Sequence, residues 1–191
     1  MGLIVTFCQP PGSGKSTIIR RLSSTIPNSV IVSRDQIQHE LNTTPAGIFL
    51  EGLARIDRYY AEGKVIFLDI TNSNDNYLRN LVDKKVLIIT TLDVSFSGEF
   101  SAESLSWCCD NIIGKSRNDS TFNPQTFDEC VKVVMSMAKR CKRIITTHPV
   151  HCLRRRFIRR RRFSSHNYRT LARDYVPIDV RLVESLIREH L

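Results

Sequence analysis

Apolar residues along this chain follow two rhythms. Short runs rich in β-branched residues, each closed by polar punctuation, predict strands at Leu3–Cys8, Ser29–Ser33, Lys64–Ile70, Lys85–Leu92 and Arg143–Thr147. Between them, apolar residues three and four apart predict helices near Lys15–Thr25, Asp35–Leu41, Ala46–Glu62, Asp75–Val82, Ala102–Ile113, Pro124–Arg140 and Val150–Arg162. A last helix is predicted from Pro177 to His190. Asn123-Pro124 reads as a helix start, a cap residue followed by proline at the first helical position. Strand–helix alternation predicts an α/β fold, a mostly parallel sheet flanked by helices. Ligands of such sheets bind at the carboxyl ends of the strands. That rule gathers the turn after the first strand, Arg34-Asp35, Asp69, Thr71-Asn72 and His148.

The turn after the first strand carries the sharpest chemistry. Gln9 to Thr17 read Q-P-P-G-S-G-K-S-T, directly after the run L-I-V-T-F-C. A buried strand that breaks into a glycine-rich turn and then opens a helix is the layout of a phosphate-binding loop. Gly12 and Gly14 lack Cβ atoms, so the backbone can curl and aim its N–H groups at an anion. The helix beginning near Lys15 points its positive end at the same place. Pro11, Gly12, Ser13, Gly14, Lys15, Ser16 and Thr17 are therefore the candidate nucleotide-binding residues. Lys15 is placed to reach the β and γ phosphates of ATP or GTP, and the Ser16 hydroxyl to hold Mg²⁺. The usual pattern begins with glycine, where this chain has Gln9.

Two carboxylates stand at predicted strand ends. Asp35, in S-R-D-Q, is expected one strand away from the phosphate loop, where it could take a proton from an incoming hydroxyl. A helix N-cap is the equally available reading. Asp69 ends the run V-I-F-L-D. It suits either a Mg²⁺-organising or acceptor-site role, or a cap for the helix after Asn72-Ser73-Asn74.

Length and charge narrow the class. The 191 residues suit one domain with a substantial core. No signal-peptide pattern opens the chain and no apolar run approaches a membrane span, which leads to the expectation of an intracellular, cytoplasmic or nuclear protein without a membrane partner. Six cysteines without a C-x-x-C pair are expected as free thiols, most of them buried. His148 and His151, in H-P-V-H, lack the further ligands a metal centre requires. The net charge is +9, and seven arginines between Arg154 and Arg162 account for all but two of it. One dense cationic stretch implies a polyanionic partner, nucleic acid or nucleotide phosphate.

Four segments together carry a family likeness: V-T-F-C-Q-P-P-G-S-G-K-S-T, S-R-D-Q-I-Q-H-E-L, K-V-I-F-L-D-I-T-N and V-P-I-D-V-R-L-V-E-S-L. They resemble the successive motifs of the phage-type polynucleotide 5′-hydroxyl kinases, over about half of the chain. The resemblance implies a P-loop kinase-like domain over residues 1–191 with a basic helical lid at about 149–175. It implies transfer of the γ-phosphate of an NTP to the 5′-OH end of RNA or DNA, RNA favoured, in nucleic-acid repair. Asp35 would be the general base and Lys15 a catalytic cation. Arg34, Asp69, Thr71 and Asn72 would lie toward the acceptor. Arg156 and Arg160 are the best matches for the lid arginines.

At Gln38 the phage enzymes carry an arginine for the acceptor phosphate, so contacts there differ. Ser116 to Pro124 are weakly similar to the kinase module of fungal tRNA ligases, which adds Arg117 as an acceptor-side candidate. The arginine run otherwise reads as a localisation signal or a solvated helix face. Phe163 and Tyr168 either stack a base or simply pack. Two other functions stay open: a small-metabolite or nucleoside kinase, and a non-catalytic NTP-dependent nucleic-acid binder.

Overall fold

A computed structural model of the chain describes residues 2–70, 76–118, 126–155, 163, 171 and 175–191, apart from the side chains of 116–118. The elements are β1 (Leu3–Phe7), α1 (Lys15–Thr25), β2 (Ser29–Ser33), α2 (Arg34–Leu41), α3 (Pro45–Ala61) and β3 (Val65–Asp69). They continue with α4 (Asn76–Arg79), β4 (Val86–Thr90), α5 (Ala102–Asn118), α6 (Phe127–Thr147), β5 (Val150–Cys152) and α7 (Val180–Glu189). The strands form one five-stranded sheet in the order β2-β3-β1-β4-β5. The pairings β2–β3, β3–β1 and β1–β4 are parallel, with Thr6 opposite Leu68 and Ser33 opposite Asp69. The predicted α/β architecture is therefore present.

The chain divides into two compact units, one of residues 1–7, 16–89 and 179–191, the other of residues 8–15 and 90–178. In the first, β1 and β3 are buried almost throughout, as continuous apolar runs in a parallel sheet require. Ile4, Ile66 and Leu68 from these strands meet Ile37 of α2 and Ile48 and Ile56 of α3 in one core. Arg55 of α3 grips Glu40 of α2 at 2.6 Å and Glu51 at 2.7 Å, while Gln36 donates to Glu40 at 2.8 Å. This fork fixes α2, and the Arg55 guanidinium, helped by Gln36, holds the Glu40 carboxyl below its ordinary range. Helix α7 is capped by Asp179, buries Val183 and Ile187, and ties back through Arg188 to the Thr25 carbonyl.

In the second unit α5 lies against α6, with the Cys130 thiol donating to the Cys109 carbonyl at 3.6 Å. All six cysteines are free thiols, five buried and Cys152 half-buried, as the sequence predicts. Trp107 is half-buried beside Tyr175, their ring centroids 5.7 Å apart. Burial pushes the Tyr175 hydroxyl up to about 12. Gln9 is almost fully buried, and its side-chain carbonyl accepts from both the Thr91 N–H and the Thr91 hydroxyl, each at 3.0 Å. Gln9→Ala is expected to strand those two donors and cost about 1–3 kcal/mol, measured by urea unfolding.

Three expectations need correction. Arg143–Thr147 is not a strand but the last turn of α6. The 3.6-residue stripe of Cys130, Val134, Ala138, Cys141 and Ile144 runs straight through it, and Thr146 and Thr147 return their hydroxyls to helix carbonyls. The strand comes later, at Val150–Cys152, so no helix starts at Val150. Helix α6 itself begins later than expected. Thr126 and Glu129 form a capping box, each side chain bonded to the other's backbone N–H; Asn123 and Pro124 lie outside the described residues. Finally, Asp35 is not one strand from the loop. β3 stands between β1 and β2, so the strand beside β1 on that side ends in Asp69.

Candidate functional site

The phosphate loop is built by backbone geometry. Gly12 and Gly14 have φ of +77° and +83°, conformations that L side chains rarely adopt. A Cβ at Gly12 would also lie 2.1 Å from the Cys108 carbonyl oxygen of α5. The Asn111 side chain, one turn further along α5, donates to the Gly12 carbonyl at 2.7 Å. The turn is thus held from α5, through two residues the motif alone does not reveal. Next to it, Ser13 carries a buried hydroxyl without a hydrogen-bond partner among the described residues. Lys15, at the start of α1, is 8% exposed. The Cys108 thiol feels that ammonium: burial drives it up and the charge of Lys15 pulls the other way. An orphaned buried hydroxyl, a turn of two positive-φ glycines with open space at the Gly14 Cβ position, and a cation beside them fit a bound phosphate.

Ser16 opens the portion of the loop that belongs to the first unit. Its hydroxyl donates to Asp69 Oδ1 at 2.9 Å. This hydroxyl–carboxylate pair offers hard oxygen donors, which fit Mg²⁺. That ion is usually held by one or two carboxylates, phosphate oxygens and retained waters rather than by a full protein cage. Among the described residues no group of three or more His, Cys, Asp and Glu is gathered for a metal. The capping alternative for Asp69 thus loses ground to a bond the sequence does not display, since it joins residues 53 apart.

Asp35 follows the same logic. The cap of α2 is Ser33, whose hydroxyl accepts from the Gln36 N–H. Asp35 sits in the first turn, exposed, without a hydrogen-bond or ion-pair partner among the described residues. The capping reading of Asp35 is therefore replaced: its carboxylate lies in the first turn, at the positive end of a helix that Ser33 caps. Because Ser33 is opposite Asp69, both carboxylates lie at the carboxyl edge of adjacent strands. Arg34 and Gln38 are exposed on the same helix.

The remaining candidates divide differently. Thr71, Asn72, Arg156, Arg160 and Tyr168 lie outside the described residues, and Arg117 lies in α5 with its side chain likewise outside them. Phe163 is half-buried. At the head of the arginine run, Arg154 turns inward: it is 3.9 Å from Asp93 Oδ2 and 5.4 Å over the Tyr175 ring. Asp93 is buried, so this arginine is committed to the interior and not to an outside anion.

No protein-family model and no curated protein matches the chain. Among solved structures it is similar to a shikimate kinase from Acinetobacter baumannii in complex with shikimate. The identity is 12%, over all of this chain and 96% of that one, with a TM-score of 0.49. It is also similar to a deoxyadenosine kinase from M. mycoides, at 14% identity over 98% and 97% of the two chains and a TM-score of 0.47. Among the described residues no helix is long and apolar enough to cross a membrane.

Proposed function

We propose that the chain is an NTP-dependent phosphotransferase whose acceptor is the 5′-hydroxyl of a nucleic-acid end, RNA in preference to DNA. The observation that carries the phosphotransferase reading is the positive-φ glycine turn, which runs into a buried Lys15 and a Ser16 hydroxyl already bonded to Asp69. The carboxylate of Asp35, left out of the cap by Ser33, supplies a base. In this reading the loop amides and Lys15 hold the β and γ phosphates. Asp35 receives the proton of the acceptor hydroxyl as its oxygen forms the new P–O bond. The bond between the γ-phosphorus and its bridging oxygen breaks and the nucleoside diphosphate leaves. Bound Mg²⁺ would supply charge neutralisation on the phosphates, with Ser16 and Asp69 holding it. Arg156 and Arg160 are proposed as the lid cations on the transferred group.

If Asp69 organises that ion through Ser16, Asp69→Asn should raise the Mg²⁺ needed for half-maximal transfer roughly 10- to 100-fold with unchanged unfolding behaviour. A Mg²⁺ titration of turnover checks it.

The nucleic-acid acceptor rests on the concentration of arginine between Arg154 and Arg162. A small metabolite or nucleoside is the second reading. It is favoured by neutral Gln38, exposed on α2 where the resembled enzymes carry an arginine for the acceptor phosphate. Transfer of labelled γ-phosphate from ATP and GTP to matched 5′-OH RNA and DNA oligomers separates the two. An oligomer touched by three or four arginines should bind with a log–log salt slope of about −2 to −3. Labelling of nucleosides but no oligomer selects the metabolite reading. Tight NTP binding without transfer to any hydroxyl leaves a binding module.

A further inference from the structure

We propose that Phe96 and Arg155 form a stacking platform for a base of single-stranded nucleic acid. The proposal deepens the reading above and rests on it for its partner. Phe96 is 80% exposed. A single exposed apolar residue is ordinary on a protein surface; the way this one is presented is not. It sits at the tip of a turn in which the Ser95 N–H donates to the Glu99 carbonyl at 2.8 Å and the Gly98 N–H donates to the Ser95 carbonyl at 3.0 Å. The Ser95 and Ser97 hydroxyls bond at 2.8 Å, and the Glu99 N–H donates to the Ser95 hydroxyl at 3.1 Å. Glu99 is in turn paired with Lys142 of α6 at 2.8 Å. A tip so fully hydrogen-bonded holds its aromatic ring out toward solvent at little cost in ordering on binding.

The second half of the platform is the outward arginine. Val94, just before the turn, bridges Arg155, and its N–H donates to the Arg154 carbonyl. Along this extended backbone successive side chains alternate. Arg154 goes inward to Asp93 and Tyr175, whereas exposed Arg155 places its guanidinium 5.7 Å from the Phe96 ring centroid. A solvent-facing aromatic with a cation over it, followed in sequence by five further arginines up to Arg162, offers a π face to a base and positive charge to its phosphate. Stacking is sequence-tolerant because every base has such a face, so the platform suits the strand behind a 5′ end rather than one defined nucleotide.

The test is titration of the full chain with short single-stranded 5′-OH RNA labelled with fluorescein at its 3′ end, read by anisotropy. Phe96→Ala is expected to raise the Kd roughly 5- to 100-fold, and Phe96→Trp to keep it near the wild-type value. Arg155→Ala should reduce the magnitude of the salt slope by about 0.7. The affinity for ATP and GTP alone should be unchanged in all three. A Kd for RNA that Phe96→Ala leaves unmoved, or an equal loss for free NTP, overturns the platform. The two proposals fail separately. Phosphate transfer to RNA with no dependence of binding on Phe96 sinks the platform alone. RNA binding that depends on Phe96 without phosphate transfer sinks the kinase reading alone.

Discussion

Gly12→Ala is expected to abolish measurable NTP binding and to lower unfolding stability by about 2–6 kcal/mol, the sum of two separate penalties. The first is conformational: φ is +77° at this position, and a non-glycine residue held there costs about 1–3 kcal/mol. The second is steric. The new methyl would sit 2.1 Å from a backbone carbonyl oxygen of α5, which cannot rotate away as a side-chain tip could. Overpacking of this kind adds about 1–3 kcal/mol. Any relaxation must separate the loop from α5, and with it the Asn111 bond that holds the Gly12 carbonyl. Gly14→Ala is the internal control. It has φ of +83° but open space around its Cβ position, so only the conformational penalty applies, about 1–3 kcal/mol. Denaturant unfolding and nucleotide titration of the two variants side by side check the difference. Equal losses would mean that the contact with Cys108 is not what shapes the turn.

That contact also shows where sequence reading stops. The glycines, Lys15 and Ser16 are legible because their chemistry is local: a turn, a cation and a hydroxyl in consecutive positions. The Cys108 carbonyl and Asn111 are not legible, because a carbonyl carries no residue identity and the asparagine lies 99 residues from its partner. Gln9 shows the same limit. The sequence marks it as a departure from the usual glycine, and only the fold reveals that its carboxamide replaces flexibility with two bonds to Thr91. The strands β1 to β4 are readable to within one or two residues because strands of a parallel sheet are short β-branched apolar runs closed by polar residues, even in β2, where only Val32 is buried. Arg143–Thr147 misleads for a related reason. R-I-I-T-T has strand composition, but the apolar stripe entering from Cys130 has helical period, and tertiary burial outweighs local β-preference. The order of strands is a third case. Nothing local says that β3 inserts between β1 and β2, which is why Asp69, and not Asp35, is the carboxylate on the strand beside the loop-bearing one.

The same topology sharpens the division of labour between the two acids. Asp69 is occupied by the Ser16 hydroxyl, whereas Asp35 has no such partner among the described residues and is exposed at a helix start capped by another residue. One carboxylate is thus engaged as an acceptor of the Ser16 hydroxyl, and the other is the one we propose as the base for an external hydroxyl.

Asp35→Asn is therefore expected to lower turnover roughly 10²- to 10⁴-fold while leaving NTP affinity and fold largely intact. The substitution keeps size and shape, and the carboxamide oxygen can still accept a hydrogen bond from an acceptor hydroxyl. It cannot take up the proton, so the loss falls on the transfer step, equivalent to about 3–5 kcal/mol of transition-state stabilisation. A purely structural role predicts a different pattern. Ser33 already caps α2, so among the described residues the contribution of Asp35 to folding is its charge at the helix start, worth about 0.3–1 kcal/mol. Losses of turnover and of stability should accordingly be far out of proportion. Single-turnover transfer of labelled phosphate, with the unfolding midpoint measured on the same preparation, separates the alternatives. Transfer at the wild-type rate by Asp35→Asn removes this residue from the chemistry. A large drop in midpoint that tracks the loss of rate turns it into a structural residue of α2.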